Sequence, residues 1–171
     1  MHATRRLSLW LCLILASVFA AGCGEYMKGN SALRDGQPGE AAAHYRQALG
    51  GSSDSLARAR LGLALAWDGK PKEAETVLRE ALASKPSDVA ATYYLSGALA
   101  CQGKAAEAAA TLNAVHDSLK PYYAAELRSE GAVALRAGMN CPLLAKTLWQ
   151  IQGTAEDNQF KREQRERTSS R

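Results

Sequence analysis

The sequence predicts an all-α fold, a stack of helical hairpins, on three observations. A hexamer recurs at a nearly fixed interval: Gly36-Gln37-Pro38-Gly39-Glu40-Ala41, Gly69-Lys70-Pro71-Lys72-Glu73-Ala74 and Gly103-Lys104-Ala105-Ala106-Glu107-Ala108, spaced by 33 and 34 residues. A period of that size, with helix-like sequence between the copies, marks an array of stacked helical pairs. Glycines and prolines fall at the same phase of each copy, where helices stop and start. The composition is alanine-rich with 6% aromatic residues, which suits thin, closely approaching helices and not a sheet.

Each element follows from that punctuation. Unit one spans about Glu25 to Arg34 and Pro38 to Leu49, and unit two about Ser55 to Trp67 and Pro71 to Ala83. Unit three spans about Asp88 to Cys101 and Ala105 to Leu119. A fourth pair runs from about Tyr122 to Ala137 and Pro142 to Gln152. Pro38, Pro71 and Pro142 suit a first helical turn, where the missing N–H is no loss. Gly36, Gly69, Gly103 and Gly138 suit the left-handed stop. Gly50-Gly51, Lys85-Pro86 and Lys120-Pro121 separate the units. The last helix lacks the Glu-Ala signature and reads as a cap, since a terminal unit has one face without a neighbour. Trp149 reads as packing within that cap.

The copies align beyond the hexamer. Tyr45, Leu78 and Leu112 fall four residues after the shared alanine, and Ala48, Ala81 and Val115 seven after it. Upstream, Gly29 and Gly62 line up with Ser96, where Gly97 is the alternative small residue. Small residues let helices approach and larger ones fill the space between hairpins. In the central copy, Leu61-Gly62, Leu65, Ala74, Leu78, Ala81 and Pro86 resemble the tetratricopeptide repeat. Arg58 stands where that family has an aromatic, and Leu78 replaces its usual Phe. The resemblance implies a right-handed α-α superhelix of about three such hairpins plus a C-terminal capping pair, and a job of holding another protein. Glu40, Glu73 and Glu107 recur at the repeat period, so a structural place near each helix N-terminus accounts for them.

The chain ends differ from its middle. Arg5-Arg6 precede an apolar run from Leu7 to Ala21, followed by Gly22-Cys23. A basic start, about 15 apolar residues and small residues after them read as an export signal, 1–22, too short to span a bilayer comfortably. Cys23 after Ala20-Ala21-Gly22 resembles a bacterial lipoprotein cleavage site, although Ala20 stands where that family prefers Leu. The resemblance implies acylation of Cys23 and attachment to the membrane through the N-terminal lipid. Each buried methylene contributes about 0.8 kcal/mol, so two or more chains anchor firmly. By the family's sorting habit, Gly24 favours the outer membrane, with the domain facing the periplasm of the bacterial cell envelope. Ordinary secretion and an uncleaved anchor are the alternatives. Residues 23–152 form the repeat domain. Residues 153–171, with Phe160 as the one large apolar residue, read as a polar, disordered tail, or else a solvated helical extension.

Without residues 1–22 the chain has 149 residues, 19 of them basic and 17 acidic. That balance gives no case for nucleic acid. The three histidines lack metal-ligand spacing, Gly50-Gly51-Ser52-Ser53 lacks a phosphate-loop lysine, and no serine sits in a nucleophile elbow. No enzyme, cofactor, metal or small-molecule substrate is expected. Cys101 and Cys141 remain as a pair beside equivalent turns, and a disulfide between them is expected in an oxidising compartment; two independent small residues are the alternative.

In the resembled fold, first helices line a concave groove. Helical spacing from the packing positions puts Tyr26, Asn30 and Arg34, then Ala59, Arg60, Leu63 and Trp67, then Tyr93, Tyr94 and Gly97 on it. That surface is aromatic and apolar, as protein-recognition hot spots are, although each aromatic could instead pack between units. The expected guest is an extended or helical segment of an envelope protein. By fold-level analogy, small repeat lipoproteins of this form resemble assembly factors of pili and secretion channels, including tight-adherence lipoproteins and type IV pilotins. The alternative is an accessory regulator of a cell-wall enzyme or of outer-membrane assembly machinery.

Overall fold

The computed structural model describes residues 24–50 and 54–169, so the expected export signal and the expected acylation site Cys23 lie outside the described residues. Eight helices follow one another among those residues. They are α1 (residues 24–34), α2 (Pro38–Leu49), α3 (Ser55–Trp67), α4 (Pro71–Ser84), α5 (Val89–Ala100), α6 (Ala105–Asn113), α7 (Pro121–Arg136) and α8 (Cys141–Ser169). The architecture is an all-α superhelix of stacked hairpins.

The turns inside the pairs decide where the helices point. Gly36, Gly69, Gly103 and Gly138 have φ of 73°, 77°, 75° and 66°, a conformation that costs glycine least. In the first three turns a single residue follows the glycine before the next helix. Its N–H bonds back to a carbonyl five residues earlier: Gln37 to Ala32, Lys70 to Leu65 and Lys104 to Leu99. The fourth turn has two such residues, Met139 and Asn140. With that one added residue, α8 packs on α3 and α5 as well as folding back on α7. The Asn140 side chain caps α8, accepting the Leu143 N–H at 3.0 Å.

The repeat positions meet as the alignment requires. A Cβ built on Gly29 would lie 2.6 Å from the Tyr45 ring, and one on Gly62 would lie 2.4 Å from Leu78. These glycines are seats for the large residue of the same hairpin. Ala41, Ala74 and Ala108 are buried with Tyr45, Leu78 and Leu112. The periodic glutamates stitch neighbouring pairs: Arg46 Nη2 lies 3.4 Å from Glu73 Oε2, and Arg79 Nη2 lies 2.6 Å from Glu107 Oε1. Asp54 and Asp88 cap α3 and α5, each accepting a first-turn N–H.

Three expectations are corrected. Helix α6 stops at Asn113, not Leu119. The Asp117 carboxylate accepts the N–H groups of Leu119 and Lys120 at 2.9 and 3.0 Å, drawing that backbone out of the helix. The disordered tail is replaced by an ordered one, because α8 continues for 29 residues to Ser169 and buries Gln152, Ala155 and Gln159. Spacings of three and four put these on one face of the helix. Finally, Gly97 does not substitute for Gly62 as a seat within its own hairpin. Its Cβ position lies 2.4 Å from Leu148 of α8, because one residue further along a helix faces about 100° away.

Helix α8 therefore packs on α3 and α5 as well as on α7. It lies along the first helices of units two and three, on a face other than the one Leu78 occupies. This explains why Leu61 through Trp67 of α3 and Tyr93 through Leu99 of α5 are buried without a break: a helix apolar all round is covered all round.

Candidate functional site

The inner face of the array is a floor with an occupant already on it. Leu63 and Ala66 of α3 with Tyr94, Gly97 and Ala98 of α5 line one small cavity, whose other wall is Ala145 and Leu148 of α8. Trp149 stands against Trp67 with ring centroids 5.6 Å apart and planes inclined by 44°. Such a tilted pair adds roughly 1 kcal/mol to the burial of the rings. Beyond it, the Tyr94 hydroxyl donates to Gln152 Oε1, and Gln152 Nε2 donates to Glu156 at 2.8 Å.

The start of α8 is fixed by covalent chemistry. Cys101, the C-cap of α5, is joined to Cys141, the first residue of α8, with Cα atoms 5.1 Å apart. The Cys141 sulfur also lies 3.2 Å from the Ala66 carbonyl oxygen. One bond thus holds α8 across the ends of both α3 and α5. It is the bridge expected from the sequence, with Cys101 at the end of a first helix and Cys141 just after the corresponding turn of the next pair.

Of the ten residues expected on an open groove, Ala59 is fully buried in α3, and the other nine fall into three groups. Leu63, Trp67, Tyr94 and Gly97 are on the inner face but lie beneath α8, so they do not form a free docking surface. Tyr93 is fully buried and sits against Gly131 of α7 and beside Tyr94 at 5.6 Å; it is inter-unit packing. Tyr26, Asn30, Arg34 and Arg60 remain half-buried or exposed at the unit-one end. Tyr26 packs on Tyr45 at 5.6 Å, and Asn30 Oδ1 accepts the Tyr45 hydroxyl at 2.7 Å.

Arg60 joins the two regions. Its Nη1 donates to the Tyr94 hydroxyl at 3.3 Å, while its Nε is buried without a partner. Among the described residues, no carboxylate lies within ion-pair distance of it. Burial pushes the Tyr45, Tyr93, Tyr94 and Tyr123 hydroxyls up from the usual phenol range, so they stay neutral donors. The inner face thus offers aromatic surface, amides, hydroxyls and the guanidinium groups of Arg34 and Arg60, which is the chemistry of binding.

The outer side of the stack is charged. At Glu75, the Lys104 ammonium at 2.7 Å acts against the cost of partial burial, and the Gln102 amide and Arg79 guanidinium add to it; together they hold its carboxyl down at about 2. Among the described residues, no group of three His, Cys, Asp or Glu could hold a metal ion. No helix among them is long and apolar enough to cross a membrane.

The sequence reading missed the groove residues that α8 supplies: Leu144, Ala145, Leu148, Gln152, Ala155 and Gln159, all buried. A signal for them existed in the uninterrupted apolar character of α3 and α5, which asks for a cover on every side. A family model described as tetratricopeptide repeat matches residues 26–68 and 68–124, more than half of the chain. A search among curated proteins finds no match.

Proposed function

The chain belongs to the tetratricopeptide-repeat family, a scaffold for protein–protein interaction, and on that premise we propose that it is a lipid-anchored scaffold of the bacterial envelope. Acylated Cys23 holds it at the outer membrane, facing the periplasm. Its array holds an envelope protein during assembly of a pilus or secretion complex. The basic start, the apolar run and the small residues before Cys23 support the anchor. The joined Cys101 and Cys141 support an oxidising compartment.

The observation that carries the reading is the inner face itself. Its unit-one end leaves Tyr26, Asn30 and Arg34 accessible beside Arg60, whose buried Nε awaits an acceptor. Aromatic and arginine side chains of this kind dominate recognition energies. An apolar helical segment carrying one acceptor group fits that surface.

Photoreactive residues at Tyr26 and Arg34, compared with one at exposed Lys72 on the outer side, test the reading in cells. Capture of one envelope protein from the inner positions alone is expected; equal capture from Lys72 would overturn the docking face. Capture of a wall hydrolase or an outer-membrane assembly factor would establish the regulator reading in place of pilus or secretion assembly. Cys23→Ser is expected to move the protein from the membrane to the soluble periplasmic fraction.

A further inference from the structure

The two halves of α8 are held in different ways. From Cys141 to Gln152 the helix is tied by the disulfide, seats Leu148 in the Gly97 notch, stacks Trp149 on Trp67 and buries Leu144 and Ala145. From residue 154 onward it buries only Ala155 and Gln159. Its polar contacts there include Asn158 Nδ2 to Glu126 at 2.7 Å, and the Arg162 guanidinium 4.7 Å from the centre of the Tyr122 ring. Phe160, its largest apolar side chain, is 61% exposed. Gln159 Oε1 is buried without a partner, so even the polar contact is incomplete.

Gly153 stands at the boundary. It lies inside a long helix, where glycine weakens the backbone relative to alanine. Nothing lies within 4 Å of where its Cβ would be, so no close approach of a neighbour calls for glycine there. The residue before it, Gln152, takes the Tyr94 hydroxyl, which in turn takes the Arg60 guanidinium. Glu156, one turn further on, lies near both Tyr94 and Tyr123. The polar strip of the inner face therefore begins where the firm half of the helix ends.

We infer that the distal half of α8, residues 154–169, is a displaceable cover hinged at Gly153 that opens as a unit from the inner face while the proximal half stays locked. The proximal half completes the core of units two and three. The distal half lies on α7 through Asn158–Glu126 and Arg162–Tyr122 and brings Glu156 near Tyr94 and Tyr123. It is the segment that an incoming helix would displace. That last role rests on the docking face proposed above; the hinge does not.

Hydrogen exchange on the oxidised chain beginning at Gly24, read by mass spectrometry, tests the hinge without a partner. A step is expected: amides of 154–165 exchange together, at least tenfold faster than those of 144–152. Gly153→Ala is expected to slow the distal set by about fivefold and leave the proximal set unchanged. A chain ending at Gln152 is expected to keep its disulfide and a cooperative melt. A smooth gradient rising toward Ser169, equal protection of both halves, or collapse of the shortened chain would each overturn the cover. Capture from Lys72 with the step intact would instead overturn the docking face alone.

Discussion

In unit two, α4 folds back so that Leu78 fills the space over Gly62 of its own partner helix. In unit four, α8 packs on α7 but places Leu148 over Gly97 of α5, one pair away. Both second helices follow a left-handed glycine at nearly the same φ, Gly69 at 77° and Gly138 at 66°. They differ by one residue in the turn and by which notch stands empty. A helix's destination in such a stack is thus set by the turn that aims it and the seat that receives it. Its own composition sets only how firmly it stays.

Removing the two seated leucines measures that difference most strongly. Leu78→Ala is expected to cost about 3 kcal/mol, read as one cooperative urea transition, because Leu78 is fully buried and joins the two helices of its own hairpin. Leu148→Ala removes the same side chain, but its loss is expected to fall on the docking of α8. Tryptophan emission should then shift red at lower urea than helical ellipticity is lost. Coincident transitions in both variants would make α8 an ordinary member of the array.

Cutting the staple comes next. A chain beginning at Gly24 has only Cys101 and Cys141, and titration of the unfolded, unreduced protein should find no free thiol. Cys141→Ser is expected to lower stability by about 4 kcal/mol, given a separation of 40 residues. Two free thiols in the wild type would remove the covalent half of the contrast between α4 and α8.

The charged outer side should matter least. Glu75 is held at about 2 against an ordinary 4.5. Its contribution is therefore fully present above about pH 4.5 and is lost as pH falls toward 2. Glu75→Gln should flatten the acid limb of the stability profile in that window, with a modest loss of stability at pH 7 that vanishes as pH approaches 2. Arg46→Ala breaks only an exposed stitch to Glu73 and should cost under about 0.5 kcal/mol. A larger loss there would mean that the array is held from outside as much as from within.

Much of the array was legible because its signals are local. A glycine that must be left-handed, a proline at a first turn and a large residue four after an alanine each act within a few residues. What escaped was the course of α8, which depends on a surface formed by distant parts of the chain. Gln152, Ala155 and Gln159 share a face, yet two amides and an alanine give no hydrophobic period to find. Tyr94 and Trp67 looked like docking residues for the same reason that they are buried: they are aromatic and face inward, and the chain supplies its own helix to cover them. Gly97 was displaced from its supposed role by a single step of helical rotation.

The central claim is that α8 lies on the inner face. A chain beginning at Gly24 has two tryptophans, Trp67 and Trp149, and their rings are 5.6 Å apart. Nuclear Overhauser spectroscopy on that chain should give cross-peaks between the two indoles. Two indoles with no cross-peaks, and a Trp149 freely quenched by acrylamide, would mean that the groove is open and that α8 lies elsewhere.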